Sequence, residues 1–185
     1  MRIIVCSKAV PAGVNSIGSE NGKLEYEGYS MIMNESDEAA LEEALHIKKT
    51  VGAEVVVVTV GGLTSQEILY QALAKGADRA VRISADPSSS SVPQLLAEMI
   101  RRIGYDLILT GTEARDTLAA QTSMFVKEEL NLTHAFVVTE MEYDAEKNVV
   151  QVTSELGGAL YEVIEVPVPS IISVQSTKRA ITMPA

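Results

Sequence analysis

The sequence predicts an α/β domain in which a parallel sheet covered by helices is followed by an antiparallel β section. Three observations carry this reading. Apolar runs of strand length at 2–6 (RIIVC), 54–60 (EVVVVTV) and 106–110 (DLILT) alternate with helical patterns, the order that builds crossover-connected parallel strands. Glycines and small polar residues follow those runs, at the carboxyl ends where open α/β sheets place their ligands. After Leu132 the helices stop, and extended runs succeed one another across a polar turn at 144–147 and a second turn at Gly157-Gly158. The chain therefore reads as one domain over 1–185, with an α/β part at 1–132 and a β extension at 133–185.

Composition narrows the function classes. The chain has 185 residues, 46% of them hydrophobic, with a mean hydropathy of +0.15, enough to bury one core. A net charge of −10, from 15 basic and 25 acidic residues, leaves no basic face for a phosphate backbone and argues against nucleic acid as a partner. The longest apolar runs are only strand length, and the chain enters a strand without a signal-peptide pattern, so no membrane insertion and a cytoplasmic location are expected. One cysteine excludes an internal disulfide and any CxxC site, and two distant histidines leave no zinc pattern.

In chain order, the first strand ends at Cys6-Ser7-Lys8, where Cys6 reads as a small apolar residue of a buried strand. Residues 14–29 read as a hairpin excursion around Asn21-Gly22. A helix over 34–49 follows, capped by Asn34 or Ser36. Its stripe of Ala40, Leu41, Ala44, Leu45 and Lys48 faces inward and its acidic residues form a solvated, dipole-complementing face. His46 sits on its flank. The most strand-like segment, 54–60, ends at Gly61-Gly62, which either admit a ligand to the backbone or only make the turn. Thr64 to Glu67 predict a capping box into a helix carrying Ile68, Leu69, Ala72 and Leu73. A third strand spans 79–83, a short Ser-rich loop 86–91, and a helix 92–103 with Leu95, Leu96, Met99, Ile100 and Ile103 inward.

The fourth strand, 106–110, leads into the stretch around which the chain is organised. Gly111 lets the backbone turn sharply, and a helix starting near Asp116 or Thr117 points its free N–H groups at the strand tips, which suits an anion. The alternative is that Asp116 is an N-cap and the turn a connection. Leu118, Thr122, Phe125 and Val126 form that helix's core stripe. The GxSxG, HExxH, GxxxxGK[ST] and GxGxxG spacings are all missing. What remains is a crescent of Cys6, Ser7, Gly61, Gly62 and the 111–122 loop, suited to a nucleotide held mostly by backbone groups and not to acid–base chemistry.

The blocks VCSKAVP, MIMNESDEAALEEAL, EVVVVTVG, ALAKGADRAV, DLILTGTEARDTLAAQT and VPVPSIISV, in this order, resemble the beta subunit of electron transfer flavoproteins from end to end. The second and fourth are specific; apolar strands alone prove nothing. The resemblance implies an adenine-nucleotide alpha-hydrolase-like (Rossmann-like) three-layer fold with the antiparallel extension. It also implies an electron carrier without catalytic residues of its own, an AMP, or a second FAD in electron-bifurcating forms, and a heterodimer with an alpha subunit that holds most of a redox-active FAD. A dehydrogenase is reached through that complex. Carried over residue by residue, the nucleotide-binding positions fall on Cys6, Asn34, Val60, Gly61, Asp116, Gln121 and Thr122, beside Ser7 and Gly111 of the crescent. Thr117, Leu118 and Ala120 depart from the family's small, acidic or polar residues, which weakens the phosphate grip. Residues 176–185, STKRAITMPA, resemble the beginning of the family's C-terminal arm, and the rest of that arm is not in this sequence.

Two other readings share the fold. A stand-alone adenine-nucleotide-binding regulator of the universal-stress type lacks its Gly-rich phosphate loop after Gly111. An ATP pyrophosphatase lacks its SGGxDS loop after the first strand.

Overall fold

A computed structural model describes residues 1–13, 19–20, 23–24 and 30–183. β1 (Arg2–Cys6) leads into the short β2 (Ala9–Pro11). In the excursion that follows, β3 (Ser19–Glu20) and β4 (Lys23–Leu24) pair antiparallel; the Asn21-Gly22 turn expected there lies outside the described residues. β5 (Met31–Met33) returns antiparallel to β2 and delivers the chain to α1 (Glu35–Val51). Then come β6 (Glu54–Val60), α2 (Gln66–Lys75), β7 (Arg79–Ile83), α3 (Val92–Ile103), β8 (Leu107–Gly111) and α4 (Thr122–Leu130). The extension contributes β9 (Thr133–Asp144), β10 (Val149–Gly157), β11 (Leu160–Pro167) and β12 (Ser170–Val174).

One eight-stranded sheet runs β11-β10-β9-β12-β8-β1-β6-β7. The period-2 alternation of side chains divides its core into two. Ile3, Val5, Val55, Val57, Leu107 and Leu109 face α1 and α2, while Ile4, Val56, Val58, Ile108 and Ile171 face α3 and α4. Residues 55–58 are wholly buried, which is why β6 is apolar without alternation, and each such valine stabilises the fold by about 1.5–3 kcal/mol. The expected three layers are thus present, and the antiparallel pairs β9–β10 and β10–β11 extend the sheet. β12, read from sequence as part of the β section, instead inserts parallel between β8 and β9. Its run SIISV is buried throughout, as a central strand must be. No helix among the described residues is long and apolar enough to cross a membrane.

Four expectations fail, each through tertiary context. Three of the five acidic residues of α1 do not join a solvated face: Glu35 is exposed as expected, but Asp37, Glu42 and Glu43 are buried. Glu42 pairs with Lys75 at 3.3 Å, Glu43 with Arg179 at 2.8 Å, and Asp37 accepts two backbone N–H groups. No capping box forms at α2, because 63–65 make a 3₁₀ turn and the capping residue, Ser65, is already helical, so its hydroxyl makes no cap bond. α4 does not start at Asp116 or Thr117 but at Thr122. Leu118 (φ 51°) and Ala120 (φ 50°) are left-handed and interrupt the helix after a single turn at Ala114. Of the predicted α4 stripe only Val126 is buried; Leu118 and Phe125 are 64% and 49% exposed.

Candidate functional site

The tips of β1, β6 and β8 open into a cleft of about 640 Å³, within the usual range for small-molecule sites. Cys6, Ser7, Val60, Thr110 and Gly111 form its floor. The 111–122 loop and the first turn of α4, with Gln121, Thr122 and Phe125, form one wall; Ser88, Ser89, Ser90, Val92 and Pro93 form the other. Of the residues singled out from sequence, Cys6, Ser7, Val60, Gly111, Gln121 and Thr122 line the cleft. Asn34, Gly61 and Asp116 do not; they stand behind it.

The hydroxyls of Ser7, Thr110 and Thr112 are buried around this cleft with no hydrogen-bond partner among the described residues. Buried polar atoms are normally satisfied, so these three residues, all on the lining of one cavity, leave hydrogen-bonding capacity unused just beneath its surface. α4 adds donors. Gln121 provides no side-chain cap, so the N–H groups of Thr122, Ser123 and Met124 lack an acceptor within the helix, while Phe125 already donates to the Gln121 carbonyl at 3.1 Å. The helix that was to face the strand tips therefore does so one turn and more later than its sequence suggested.

Asp116 is a tie, not a cap. It accepts from Lys8 Nζ at 2.7 Å with its own side chain only 1% exposed, joining the β1 tip to the far wall. Gly61 is not a ligand-facing gap: a Cβ there would lie 2.2 Å from Ser65 Oγ, and its carbonyl accepts from Arg82 Nη1 at 2.8 Å. Gly111 is not left-handed, so its smallness does not serve a sharp turn. It serves close approach to α1, since a Cβ would lie 2.2 Å from Asp37 Oδ1 and 2.8 Å from the Asp37 backbone nitrogen. Behind Gly111, Asp37 Oδ1 accepts the Gly111 N–H at 2.8 Å and Oδ2 the Lys8 N–H at 2.7 Å. Burial pushes this carboxyl up to about 7, while those two N–H groups pull it down.

Cys6 is buried as expected, and its burial, with the Asp37 carboxylate nearby, pushes the thiol up to about 12. A thiol rather than a thiolate is present even in mildly alkaline solution. Ellman's reagent should therefore leave Cys6 unmodified in the folded protein and react on unfolding. Rapid labelling of folded protein contradicts this placement.

Sequence reasoning missed Lys8, Asp37, Phe125 and the Ser88–Ser90 wall. The last was within reach: the Ser-rich loop follows the third strand at its carboxyl end, where the crescent rule applies. Asp37 and Phe125 had no such signal, one resembling a dipole-complementing acid and the other a core residue.

A mostly parallel sheet covered on both faces, with a cleft over its carboxyl ends, defines a Rossmann-like α/β domain. Residues 23–183 match the family model described as the electron transfer flavoprotein domain. The chain is 36% identical over 149 residues to the electron transfer flavoprotein subunit beta of Methylophilus methylotrophus, covering 77% of this chain and 56% of that one. It is 34% identical over 180 residues to the corresponding subunit of Clostridium acetobutylicum, covering 94% and 68%. It is also 35% identical over 182 residues to the caffeyl-CoA reductase-Etf complex subunit CarD of Acetobacterium woodii, covering 94% and 68%. The chain belongs to the electron transfer flavoprotein beta subunit family, and it spans between about half and two thirds of the length of these relatives.

Proposed function

We propose that this chain is the adenine-nucleotide-binding beta subunit of a cytoplasmic electron transfer flavoprotein, paired with an alpha subunit that holds a redox-active FAD. The observation that carries the nucleotide is the cleft over the strand tips, which receives the uncapped end of α4 and is lined by Ser7, Thr110 and Thr112, whose buried hydroxyls have no partner among the described residues and need only turn to meet a ligand. Their chemistry fits a sugar and a phosphate: hydroxyl groups donate to and accept from ribose oxygens, and helix N–H groups hold an anion. Apolar Val60, Val92, Pro93 and Phe125 suit the flat base.

In this reading AMP, or the second FAD that the family resemblance implies for electron-bifurcating forms, occupies the cleft through Cys6, Ser7, Val60, Gly111, Gln121 and Thr122. Asn34, Gly61 and Asp116 support it from behind. FAD supplies the redox chemistry when the alpha subunit holds it. This chain binds, orients and encloses, and contributes no acid, base or nucleophile. The Acetobacterium relative is named as part of a reductase complex, which supports a dehydrogenase as the further partner. The double variant Gln121→Ala/Thr122→Ala should lose adenine nucleotide on purification, with affinity falling about tenfold or more as a charge-assisted grip is removed. Unchanged nucleotide content in a folded variant rules out this placement.

A further inference from the structure

We infer that Asn34, together with Ser36 and Asp37, is a positioning element of the cleft: the amino end of α1 is a brace that fixes the β1 tip and the 111–115 wall, with Asn34 and Ser36 outside the cleft lining. The inference rests on the nucleotide reading above, but its evidence is separate. Asn34 is 2% exposed and lies outside the cleft lining, yet all of its side-chain polar atoms are used. Its Nδ2 donates to the Glu113 carbonyl at 2.8 Å and to Ser36 Oγ at 3.0 Å, and its Oδ1 accepts the Arg115 N–H at 3.1 Å. Ser36 Oγ donates to the same Glu113 carbonyl at 2.9 Å. Asp37 then fastens Gly111 on one side and Lys8 on the other, and the Asn34 backbone N–H closes the set on the Lys8 carbonyl at 3.0 Å.

Three polar positions at the start of α1 thus hold the β1 tip and the 111–115 segment in one arrangement. The segment needs such support. It carries the cleft lining at Gly111, Thr112, Glu113 and Ala114, and it continues into a loop whose Leu118 and Ala120 occupy the disfavoured left-handed region. The Thr112 N–H is held by the Val174 carbonyl at 3.0 Å and the Ala114 carbonyl accepts the Leu118 N–H at 2.8 Å, and between those points the hydrogen bonds from α1 fix the Glu113–Arg115 backbone. A residue behind a site then sets affinity by orientation, as partners of metal ligands do.

The test compares Asn34→Ala, Asn34→Asp and Ser36→Ala with Val152→Ala, a core control on β10 remote from the cleft. Two quantities are read: AMP affinity by calorimetry, and hydrogen exchange of the 111–115 amides without ligand. Asn34→Ala should weaken AMP binding about tenfold and speed exchange at 111–115. Asn34→Asp keeps the acceptor for Arg115 but sets a buried carboxylate oxygen against the Glu113 carbonyl, and should weaken binding and speed exchange at least as much as Asn34→Ala. Ser36→Ala should move in the same direction, and the control should leave affinity and local exchange at wild-type values after its lower global stability is allowed for. Wild-type affinity in Asn34→Ala overturns the brace, and so does an affinity loss with unchanged exchange, which would make Asn34 a direct contact. If the wild type itself does not bind AMP, the nucleotide reading fails, while the exchange comparison still decides whether α1 holds the loop.

Discussion

Gly111→Ala should lower stability by about 3 kcal/mol and abolish nucleotide retention, because overpacking and a broken buried hydrogen bond add at one point. The new methyl would meet Asp37 Oδ1 at 2.2 Å, Ser36 Oγ at 2.3 Å and the Asp37 backbone nitrogen at 2.8 Å. Two of these are side-chain atoms that could swing away at the cost of their bonds. The third is backbone at the start of a seventeen-residue helix, and it moves only if α1 moves. Either route separates the β8 tip from α1 and opens the cleft floor. Neighbouring glycines calibrate the effect. At Gly62 a Cβ meets nothing within 4 Å, so Gly62→Ala should be close to neutral. At Gly61 it meets only the Ser65 side chain, so Gly61→Ala should cost less than Gly111→Ala, about 1 kcal/mol. Urea midpoints at equal slope measure all three, and a Gly111→Ala protein as stable as Gly62→Ala contradicts the packing described.

Lys75→Ala should cost about 3–5 kcal/mol, the range found when one partner of a buried ion pair is removed. The Lys75 ammonium is 4% exposed and meets Glu38 and, at 3.3 Å, Glu42, whose side chain is 3% exposed. Without it two carboxylates of α1 are left facing each other with one of them buried. Glu42 also accepts the Thr182 N–H at 2.9 Å and its hydroxyl at 2.7 Å, and Glu43 accepts from Thr177 and Arg179, so α1 is where the segment after β12 is fastened. Loss of Lys75 should therefore loosen residues 177–182 as well as lower the midpoint. The cycle with Glu42→Gln separates pairing from packing. If the charges are coupled, Lys75→Ala in the Glu42→Gln background costs markedly less than in wild type. Strict additivity contradicts the pairing.

How much of this was legible follows from where each cause lies. β6 could be read directly, since EVVVVTV has no wet face and only a central strand tolerates that. α1 and α3 were legible from stripes and from glycines after them; Gly52 is left-handed at φ 73°, as a helix stop requires. The crescent at the strand tips was legible because topology alone puts binding loops there. What failed depended on distant partners. Glu43 looks solvated until Arg179, 136 residues on, is brought to it, and Asp116 looks like a cap until Lys8 takes its carboxylate from 108 residues away. Phe125 has helical spacing with Leu118 and Thr122, but a nine-residue α4 buries only Ser123 and Val126, and Phe125 lines the cleft. Local pattern reports what a residue is fit for; the fold decides which of two fitting roles it takes.

The measurement closest to the central claim is the identity of what the protein carries. The chain is purified alone and co-expressed with the electron transfer flavoprotein alpha subunit of its own organism, without added cofactor, and bound nucleotide and flavin are identified by denaturing extraction and mass spectrometry. An adenine nucleotide on this chain, together with redox-active FAD in a stable pair with the alpha subunit, is the predicted result. A lone protein that carries ATP and ignores the alpha subunit contradicts it, and assigns the cleft to a regulatory nucleotide instead.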